Sequence, residues 1–319
     1  MPIKGAHCCF PRLDQAFVHV PESARIGWQC IIAALSTSSV TAMRLVIQGP
    51  QLNNSHLSHI ANLAGSTLPK QVDTTAYVFA VAAPDAAIAA YCESNGIDCA
   101  FVPDHQTWDN IGLVVMDMDS TLINIECIDE IADMQGLKPQ VAAITESAMR
   151  GEIEFAESLR RRVALLEGLD ESALARVYDE RLQLNPGAQK LLDTLKSRGI
   201  KTMLVSGGFT FFTDRLKTRT GLDHAHANVL EIVNGKLTGK VLGGVLDAQG
   251  KADWLTRVRN ESGLREDQTI AIGDGANDLK MMAVAGAGVA YHAKPVVRAQ
   301  ASYAISHCGL DAVLNLFIT

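Results

Sequence analysis

The sequence predicts an α/β protein whose larger part is a doubly wound parallel sheet. Three short apolar runs, at about residues 111–116, 201–205 and 269–272, are rich in Val, Leu and Ile and lack polar alternation. Such runs are typical of strands buried on both faces, as in a parallel sheet covered by helices. Each run ends abruptly in acidic or glycine-rich residues, and these ends would meet at the carboxyl edge of the sheet.

Length and composition favour a globular protein with two domains or with one large domain. The chain has 319 residues, of which 48% are hydrophobic and 20% charged. A net charge of −7 argues against nucleic-acid binding, which needs a clustered basic surface. No apolar window is long enough for a membrane span, and no leader pattern precedes the first domain. The seven cysteines form no C-x-x-C pair, so we expect reduced thiols and a cytoplasmic protein.

Residues 1–106 are predicted to form a separate α+β domain. A short strand at 17–20 and an apolar segment at 28–35 come first. From residue 43 the patterns run strand, helix, strand, strand, helix, strand, at about 43–48, 52–64, 70–74, 76–82, 85–95 and 98–102. This βαββαβ order is ferredoxin-like and resembles the ACT domains that sense amino acids. No ligand-binding residue stands out in it.

A polar linker at 103–110 leads into the second predicted domain, residues 107–319, with Trp108 as an anchor on one domain's surface. Four helical patterns between about 125 and 184 separate the first buried strand from the second, which indicates a small helical cap. The next helix, to about residue 198, is predicted to begin with Asn185 as its N-cap and Pro186 as its first residue. Asn234-Gly235 predicts a hairpin turn between two later strands.

Two carboxylates follow the first buried strand directly. Asp117 and Asp119 are two residues apart, so on extended backbone their side chains point the same way. Two such charges repel unless a proton or cation lies between them, which favours a hard divalent metal. An EF-hand loop is excluded, because Leu122 and Ile128 stand where its glycine and bidentate acid belong. Alone, however, a D-x-D sequence is as often a simple polar turn.

Polar motifs at the other strand ends point to phosphoryl transfer. Ser206-Gly207-Gly208 follows the second buried strand and the acid-rich turn from Asp274 to Asp278 follows the third, while Lys251 opens a predicted helix. Such a set suits a reaction in which a carboxylate attacks phosphorus and cations offset the phosphoryl charge.

We predict a separate role for each of these groups. Asp117 is the expected nucleophile, and Asp119 the acid that protonates the leaving oxygen and later activates water. Ser206 and the Gly207 N–H are expected to bind phosphoryl oxygens, with Lys251 as a fixed charge. Asp274 would complete a Mg²⁺ site.

These four motifs, D-M-D-S-T, V-S-G-G-F, Lys251 and G-D-G-A-N-D, resemble those of the haloacid dehalogenase-like superfamily over about residues 112–291. Asp119 fits its phosphatase branch, and the helical insert resembles the small cap of one subgroup. The resemblance implies a doubly wound core and a Mg²⁺ cofactor held by Asp117, Asp119 and Asp274.

Within that subgroup the chain is most similar to the phosphoserine phosphatase family, whose substrate also carries an ammonium and a carboxylate. The resemblance implies that Glu126 binds the ammonium and Arg162 the carboxylate, with neighbouring Arg160 and Arg161 as alternatives in register. The remaining implied site residues are Met149 and Phe155 as apolar cap residues, Asn277 near the phosphoryl group, and Asp278 as the group that orients Lys251 and metal-bound water.

The implied reaction is hydrolysis of O-phospho-L-serine, the last step of serine biosynthesis. We expect no nucleic-acid or membrane partner, and the sequence leaves open whether the protein forms a homodimer. One alternative is a related phosphotransferase that passes the phosphoryl group to homoserine or another small alcohol. An alternative of another class is a phospho-signalling receiver, which also places acids, Ser or Thr, and Lys on a doubly wound sheet. Receivers lack the helical insert and the late G-D-x-x-N-D sequence.

Overall fold

The computed structural model describes residues 42–66 and 69–318. The predicted strand at 17–20, the apolar segment at 28–35 and the first part of the predicted domain 1–106 lie outside the described residues. Two β-sheets and their surrounding helices make up the described part. None of the described helices combines the length and the apolar character needed to cross a membrane.

The smaller sheet is antiparallel. Its elements are β1 (Met43–Gln48), α1 (Asn54–Ala64), β2 (Lys70–Asp73), β3 (Ala76–Val81), α2 (Ala86–Ser94) and β4 (Asp98–Pro103). The strand order β2–β3–β1–β4 is the ferredoxin-like arrangement, which confirms the prediction to within two residues at each boundary. Both helices start where an N-cap side chain accepts backbone N–H groups, Asn53 for α1 and Asp85 for α2.

Both faces of this smaller sheet are covered. Leu45, Ile47 and Phe79 pack beneath α1 and α2. On the opposite face Val46 and Val102 belong to the hydrophobic core of the larger part of the molecule. An antiparallel sheet can leave one face to water, but this one does not.

The larger sheet has seven strands in the order β11–β10–β9–β5–β6–β7–β8. They are β5 (Leu113–Met116), β6 (Lys201–Phe209), β7 (His224–Val233), β8 (Lys236–Leu242), β9 (Thr269–Gly273), β10 (Ala287–Tyr291) and β11 (Tyr303–Ile305). All neighbours are parallel except β7 and β8, which form the hairpin predicted from Asn234-Gly235. The chain proceeds from β5 first to one side and later to the other, so β5 and β9 flank the point where ligands bind in such sheets.

Helices cover both faces of the larger sheet. They are α7 (Ala188–Ser197), α8 (Thr210–Thr220), α9 (Ala248–Glu261), α10 (Leu279–Ala283) and α11 (Pro295–Arg298). Val114 and Met116 pack in one core cluster with residues of α7 and α8, whereas Leu113 and Val115 pack in another with α9, α10 and α11. Adjacent residues of β5 are therefore buried on opposite faces, which confirms the doubly wound prediction.

A helical insert lies between β5 and α7. It comprises α3 (Cys127–Asp133), α4 (Lys138–Met149), α5 (Phe155–Ala164) and α6 (Ser172–Glu180), the four predicted helices. The hairpin of β7 and β8 contacts this insert through two backbone hydrogen bonds of 2.8 Å between Leu237 and residues Gly168 and Leu169. The insert is thus packed against the sheet end that carries the polar motifs.

Polar anchors join the two sheets. Asp98 of β4 accepts the backbone N–H groups of Ser306, His307 and Cys308 at 2.7–3.2 Å. Trp108 is 3% exposed, and its Nε1 donates to the Leu314 carbonyl at 2.9 Å. The predicted anchoring role of Trp108 is confirmed.

Several local predictions were wrong. The helix predicted to begin at Asn185 and Pro186 begins at Ala188, with Gly187 at the N-cap in a left-handed conformation (φ 80°). The helix containing Lys251 starts three residues earlier than predicted, because the Asp247 side chain caps it. The final predicted helix is a 3₁₀ segment, Leu310–Asn315. The short elements β11 and α11 were missed, since three or four residues carry too little periodicity.

Candidate active site

Asp117 lies at the carboxyl end of β5. Its backbone N–H donates to the Ile272 carbonyl of β9 at 3.0 Å, which fixes it at the boundary between the two central strands. Its Oδ1 accepts the Met118 N–H at 2.7 Å and lies 2.7 Å from Lys251 Nζ. The side chain is buried, and among the described residues no hydrogen bond reaches Oδ2. Desolvation raises the pKa of Asp117 well above its usual range, despite the neighbouring lysine.

Lys251 is a fully buried ammonium in the first turn of α9. Its Nζ bridges Asp117 Oδ1 at 2.7 Å and Asp278 Oδ1 at 2.8 Å. Burial alone would lower the pKa of Lys251, but the two carboxylates raise it overall. The lysine therefore remains charged at any physiological pH.

Asp274 and Asp278 come from the turn after β9. Together with Asp117 they offer carboxylate oxygens that all lie within 4.8 Å of one another. Asp274 Oδ1 accepts the Thr121 hydroxyl at 3.0 Å, while Asp278 Oδ2 accepts the Gly275 N–H at 3.0 Å. Desolvation and the charge of Asp278 raise the pKa of Asp274 to about 6. Three carboxylate oxygens this close to one another fit a hard divalent cation.

Asp119 lies beside this cluster but its carboxylate is held elsewhere. Its Oδ1 accepts the Cys127 N–H at the start of α3 at 3.0 Å. Desolvation raises the pKa of Asp119 to about 6, although the Cys127 contacts oppose the rise. The turn reaches this geometry through Ser120, whose φ is 56°. Cys127 escaped the sequence analysis because a backbone donor leaves no mark in the side-chain pattern.

The Ser206-Gly207-Gly208 motif continues β6 as extended backbone. Ser206 Oγ accepts the Gly208 N–H at 2.8 Å. A Cβ at Gly208 would lie only 2.9 Å from Asp119 Oδ2, so the loop approaches the acid because it lacks side chains. The buried Asn228 donates Nδ2 to the Gly207 carbonyl at 2.9 Å. Sequence reasoning missed Asn228, which lies within a strand and in no recognisable motif.

The helical insert covers this loop directly. A Cβ at Gly207 would lie 3.0 Å from Cζ of Phe155, the first residue of α5. The Phe155 ring therefore lies against the backbone of Gly207, and the cap is closed. Met149 is the last residue of α4, and its side chain lies outside the described part of the chain.

Glu126 and Arg162 interact through their charges near the mouth of the cap. Glu126 Oε1 accepts the Ser120 hydroxyl at 2.7 Å. Desolvation and the charge of Asp119 raise the pKa of Glu126, although the residue keeps contact with solvent. Arg162 is half-buried, its pKa is lowered by desolvation, and its charge interacts with Asp129, Glu126 and Asp119. Asp129 was not singled out from the sequence; it lies one helical turn after Glu126.

The other two arginines of the series point away. Arg161 pairs with the exposed Glu157 at 2.7 Å, and Arg160 is exposed. Asn277 is half-buried and its Oδ1 lies close over Gly275, where a Cβ would meet it at 2.0 Å. Arg162 is therefore the arginine of the three that faces the acidic site.

A cavity of about 320 Å³ lies beside the acidic cluster without including its carboxylates. Its lining residues are Ser120, Asn124, Asn185, Pro186, Tyr291, His292, His307, Cys308 and Gly309. Ser120 is thus the boundary between this cavity and the site under the cap.

Known proteins resemble the chain over this same region. The family model of haloacid dehalogenase-like hydrolases matches residues 114–283. A phosphoserine phosphatase from Polaromonas sp. is 54% identical over 209 residues, which are 64% of this chain and 89% of that protein. A phosphoserine phosphatase from Vibrio cholerae is 50% identical over 218 residues, 68% of this chain and 66% of that protein.

Solved structures share the fold as well. The unliganded crystal structure of a probable phosphoserine phosphatase from Vibrio cholerae has a TM-score of 0.77 and 39% identity, over 88% of each chain. A substrate-bound phosphoserine phosphatase complex has a TM-score of 0.62 and 38% identity, over 66% of this chain and 99% of that one. The chain belongs to the haloacid dehalogenase-like hydrolases and, within them, to the phosphoserine phosphatases.

Proposed function

We propose that the protein is a Mg²⁺-dependent phosphatase that hydrolyses O-phospho-L-serine to L-serine and phosphate, the last step of serine biosynthesis. The observation that carries this proposal is the contact of Asp117 with Lys251 at 2.7 Å, inside a cluster of carboxylates at the carboxyl end of β5. Two relatives with 54% and 50% sequence identity are named phosphoserine phosphatases, which supports the choice of substrate.

In the first step, Asp117 attacks the phosphorus and the bond to the serine oxygen breaks. Met118 N–H and Lys251 hold Asp117 Oδ1, which leaves Oδ2 as the attacking atom. Asp119 gives its proton to the departing serine oxygen. Its pKa of about 6 keeps a useful protonated fraction near neutral pH, as a general acid requires.

In the second step, water attacks the phosphorus of the aspartyl-phosphate and the bond to Asp117 breaks. Asp119, now ionised, accepts the proton of that water, so phosphate leaves and both acids return to their starting states. The Phe155 ring on Gly207 excludes bulk water, and the same apolar role is proposed for Met149.

The phosphoryl oxygens are proposed to bind Ser206, the Gly207 N–H, Asn277 and Lys251. Donors fixed before the reaction cost no reorganisation when charge develops on phosphorus. Asp278 anchors Lys251 at 2.8 Å and so keeps its ammonium beside Asp117.

Asp117 and Asp274 would hold Mg²⁺, and their closeness with Asp278 fits such an ion. When bound, the ion neutralises charge on the phosphoryl oxygens. Asp119 as a third ligand stays a prediction, since its described carboxylate contact is with the Cys127 N–H.

Glu126 and Arg162 are proposed to select the amino-acid part of the substrate. The substrate ammonium would bind Glu126, whose pKa is raised by desolvation and by the charge of Asp119, so that a further cation beside it would be stabilised. The substrate carboxylate would accept a forked pair of hydrogen bonds from Arg162.

We further propose a division of the chain into domains 1–106 and 107–319, with the cap at about 125–184, and a cytoplasmic location. A homodimeric state stays a prediction that light scattering on the full chain would test.

A phosphate-release panel tests the function. Phosphoserine, phosphothreonine, phosphoglycolate and p-nitrophenyl phosphate would each be assayed with Mg²⁺ and with EDTA. We expect phosphoserine to give the highest kcat/KM and EDTA to abolish release. A preference for phosphoglycolate, or release unaffected by EDTA, would contradict the proposal.

The same panel separates hydrolysis from phosphotransfer. Homoserine and other small alcohols are added as acceptors, and serine and free phosphate are both quantified. Hydrolysis yields equal amounts of the two products, whereas transfer leaves phosphate below serine.

A further inference from the structure

The core and the cap are joined by two segments that run side by side, residues 122–125 on the way out and 183–185 on the way back. Ile123 and Leu184 form an isolated antiparallel bridge. The Asn124 N–H donates to the Gln183 carbonyl at 3.0 Å, and the Gln183 N–H donates to Asn124 Oδ1 at 3.0 Å. These two segments, here called the hinge ribbon, are the covalent path along which any cap movement must be taken up.

Asn185 binds three successive carbonyls at the core end of the hinge ribbon. Its Nδ2 donates to the Thr121 carbonyl at 2.8 Å and to the Ile123 carbonyl at 3.0 Å. Its backbone N–H donates to the Leu122 carbonyl at 3.0 Å. A primary amide has two N–H donors on one nitrogen, which suits a side chain that meets two carbonyls.

Those carbonyls close the turn that begins at Asp117 and includes Asp119. Within it, the Ile123 N–H donates to the Met118 carbonyl at 3.0 Å and the Ser120 N–H to the Ile125 carbonyl at 3.2 Å. Ser120 occupies the left-handed region at φ 56°, a conformation that persists only where surrounding contacts determine it. The position of this turn therefore depends on bonds from outside.

Thr121 links the fastened turn to the acidic cluster. Its hydroxyl donates to Asp274 Oδ1 at 3.0 Å, while its carbonyl is the acceptor of the shorter Asn185 bond. A shift of the Thr121 backbone would thus move the contact to Asp274 and the carboxylate of Asp119 together.

We infer that Asn185 is a positioning residue that fastens the catalytic turn to the core side of the hinge ribbon. Cap opening then begins beyond Ile123 and leaves the backbone of Asp117, Asp119 and Thr121 in place, while the contact of the Asp119 carboxylate with the Cys127 N–H lies on the cap side. The inference rests on the proposed function for its kinetic readout only. A role as helix cap does not account for Asn185, because α7 begins at Ala188 and Gly187 occupies the cap position.

Kinetics of p-nitrophenyl phosphate hydrolysis provide the first test, since this ester makes no use of Glu126 or Arg162. Asn185→Ala should lower kcat roughly tenfold, as expected for two lost hydrogen bonds that align reacting groups. Asn185→Asp should lose at least as much, because a carboxylate has no donor for the carbonyls. Asn124→Ala is the matched control: it removes a hinge-ribbon bond but none of the bonds to the turn, and should keep kcat within about twofold.

Amide hydrogen exchange provides a readout that does not need activity. Peptides spanning residues 118–125 should exchange faster in Asn185→Ala than in wild type or Asn124→Ala, with melting temperatures compared in parallel. Equal exchange and equal kcat in the two alanine variants would overturn the inference. A wild-type protein inactive on phosphoserine would refute the proposed function, whereas the exchange data would still decide the role of Asn185.

Discussion

Asp117 and Asp98 are both nearly inaccessible to water, at 4% and 5% exposure, yet their carboxylates have different kinds of partner. Asp98 accepts the backbone N–H groups of three consecutive residues that follow β11. Asp117 instead lies against Lys251 and near two further carboxylates. Asp98 is thus held mainly by backbone dipoles, whereas Asp117 is held mainly by a charged side chain.

The difference teaches how to separate an anchor from a reactive group. Backbone donors hold a carboxylate without any other charge and leave it nothing further to bind, so Asp98 contributes to stability. Crowded carboxylates around a single ammonium leave an excess of negative charge, which a cation or a proton relieves. We therefore expect substitutions at the two positions to have opposite consequences for stability and turnover.

Asp117→Asn should give the largest effect on turnover. An amide oxygen is a poor nucleophile, so we expect phosphate release to fall at least about 10⁴-fold. The same change removes one of the crowded charges, and the metal-free variant should melt no lower than wild type. Phosphate release and thermal melts without metal measure both. Substantial turnover in the variant would remove Asp117 as nucleophile.

Arg162→Ala should affect recognition and not chemistry. Loss of a forked arginine–carboxylate contact worth about 2–3 kcal/mol should raise KM for phosphoserine roughly 30- to 150-fold. KM for p-nitrophenyl phosphate should change little. Arg161→Ala is the matched control, because Arg161 pairs with Glu157 at the surface. If both substrates weaken equally, Arg162 makes no carboxylate contact.

Asp98→Asn should invert the pattern seen at Asp117. An amide group can accept at its oxygen only, so one of the three N–H groups loses its acceptor and faces the amide NH₂ instead, at a cost of about 1–3 kcal/mol. Urea unfolding measures the loss, and kcat at low temperature should stay within about twofold of wild type. Asp104→Asn is the control, since Asp104 is an exposed partner of Arg44 at 3.8 Å and should cost under about 0.5 kcal/mol.

The pH dependence of stability gives the smallest expected effect. The pKa values of Asp119 and Asp274 are raised from 3.8 to about 6 in the folded protein. Between about pH 4 and 6 these two carboxyl groups are ionised in the unfolded chain but still protonated in the folded protein. The metal-free protein should therefore lose stability as pH rises from about 4 to 6. Mg²⁺ should then raise the melting temperature more at about pH 7.5 than at about pH 5. An equal rise at both would contradict a carboxylate site.

The residues at the carboxyl edge of the larger sheet could be predicted from the sequence because the patterns that mark them are local. The apolar run before Asp117, the glycines after Ser206 and the acids around Asp274 each lie within a few residues of one another. Parallel-strand topology then brings them together without further information. For the same reason the βαββαβ order of the smaller sheet was predicted correctly.

What sequence patterns missed depends on partners far apart in the chain. The acceptors of Asn185 lie some sixty residues earlier, so its amide was assigned to the nearest helix. The three donors to Asp98 come from the far end of the chain, more than 200 residues later. Asn228 acts on the backbone carbonyl of Gly207, and Cys127 acts through its own backbone N–H and not through its side chain. None of these contacts changes the local pattern of residue types.

The Phe155 ring lies against Gly207, one of the two residues of the Ser206-Gly207-Gly208 motif that have no side chain. A methyl group at position 207 would lie 3.0 Å from the ring, so its steric clash with Phe155 would keep the cap from closing fully. We expect the absence of this methyl group also to let a phosphoryl oxygen reach the Gly207 N–H, as proposed above. We therefore expect any side chain at position 207 to hinder both closure of the cap and binding of a phosphoryl group.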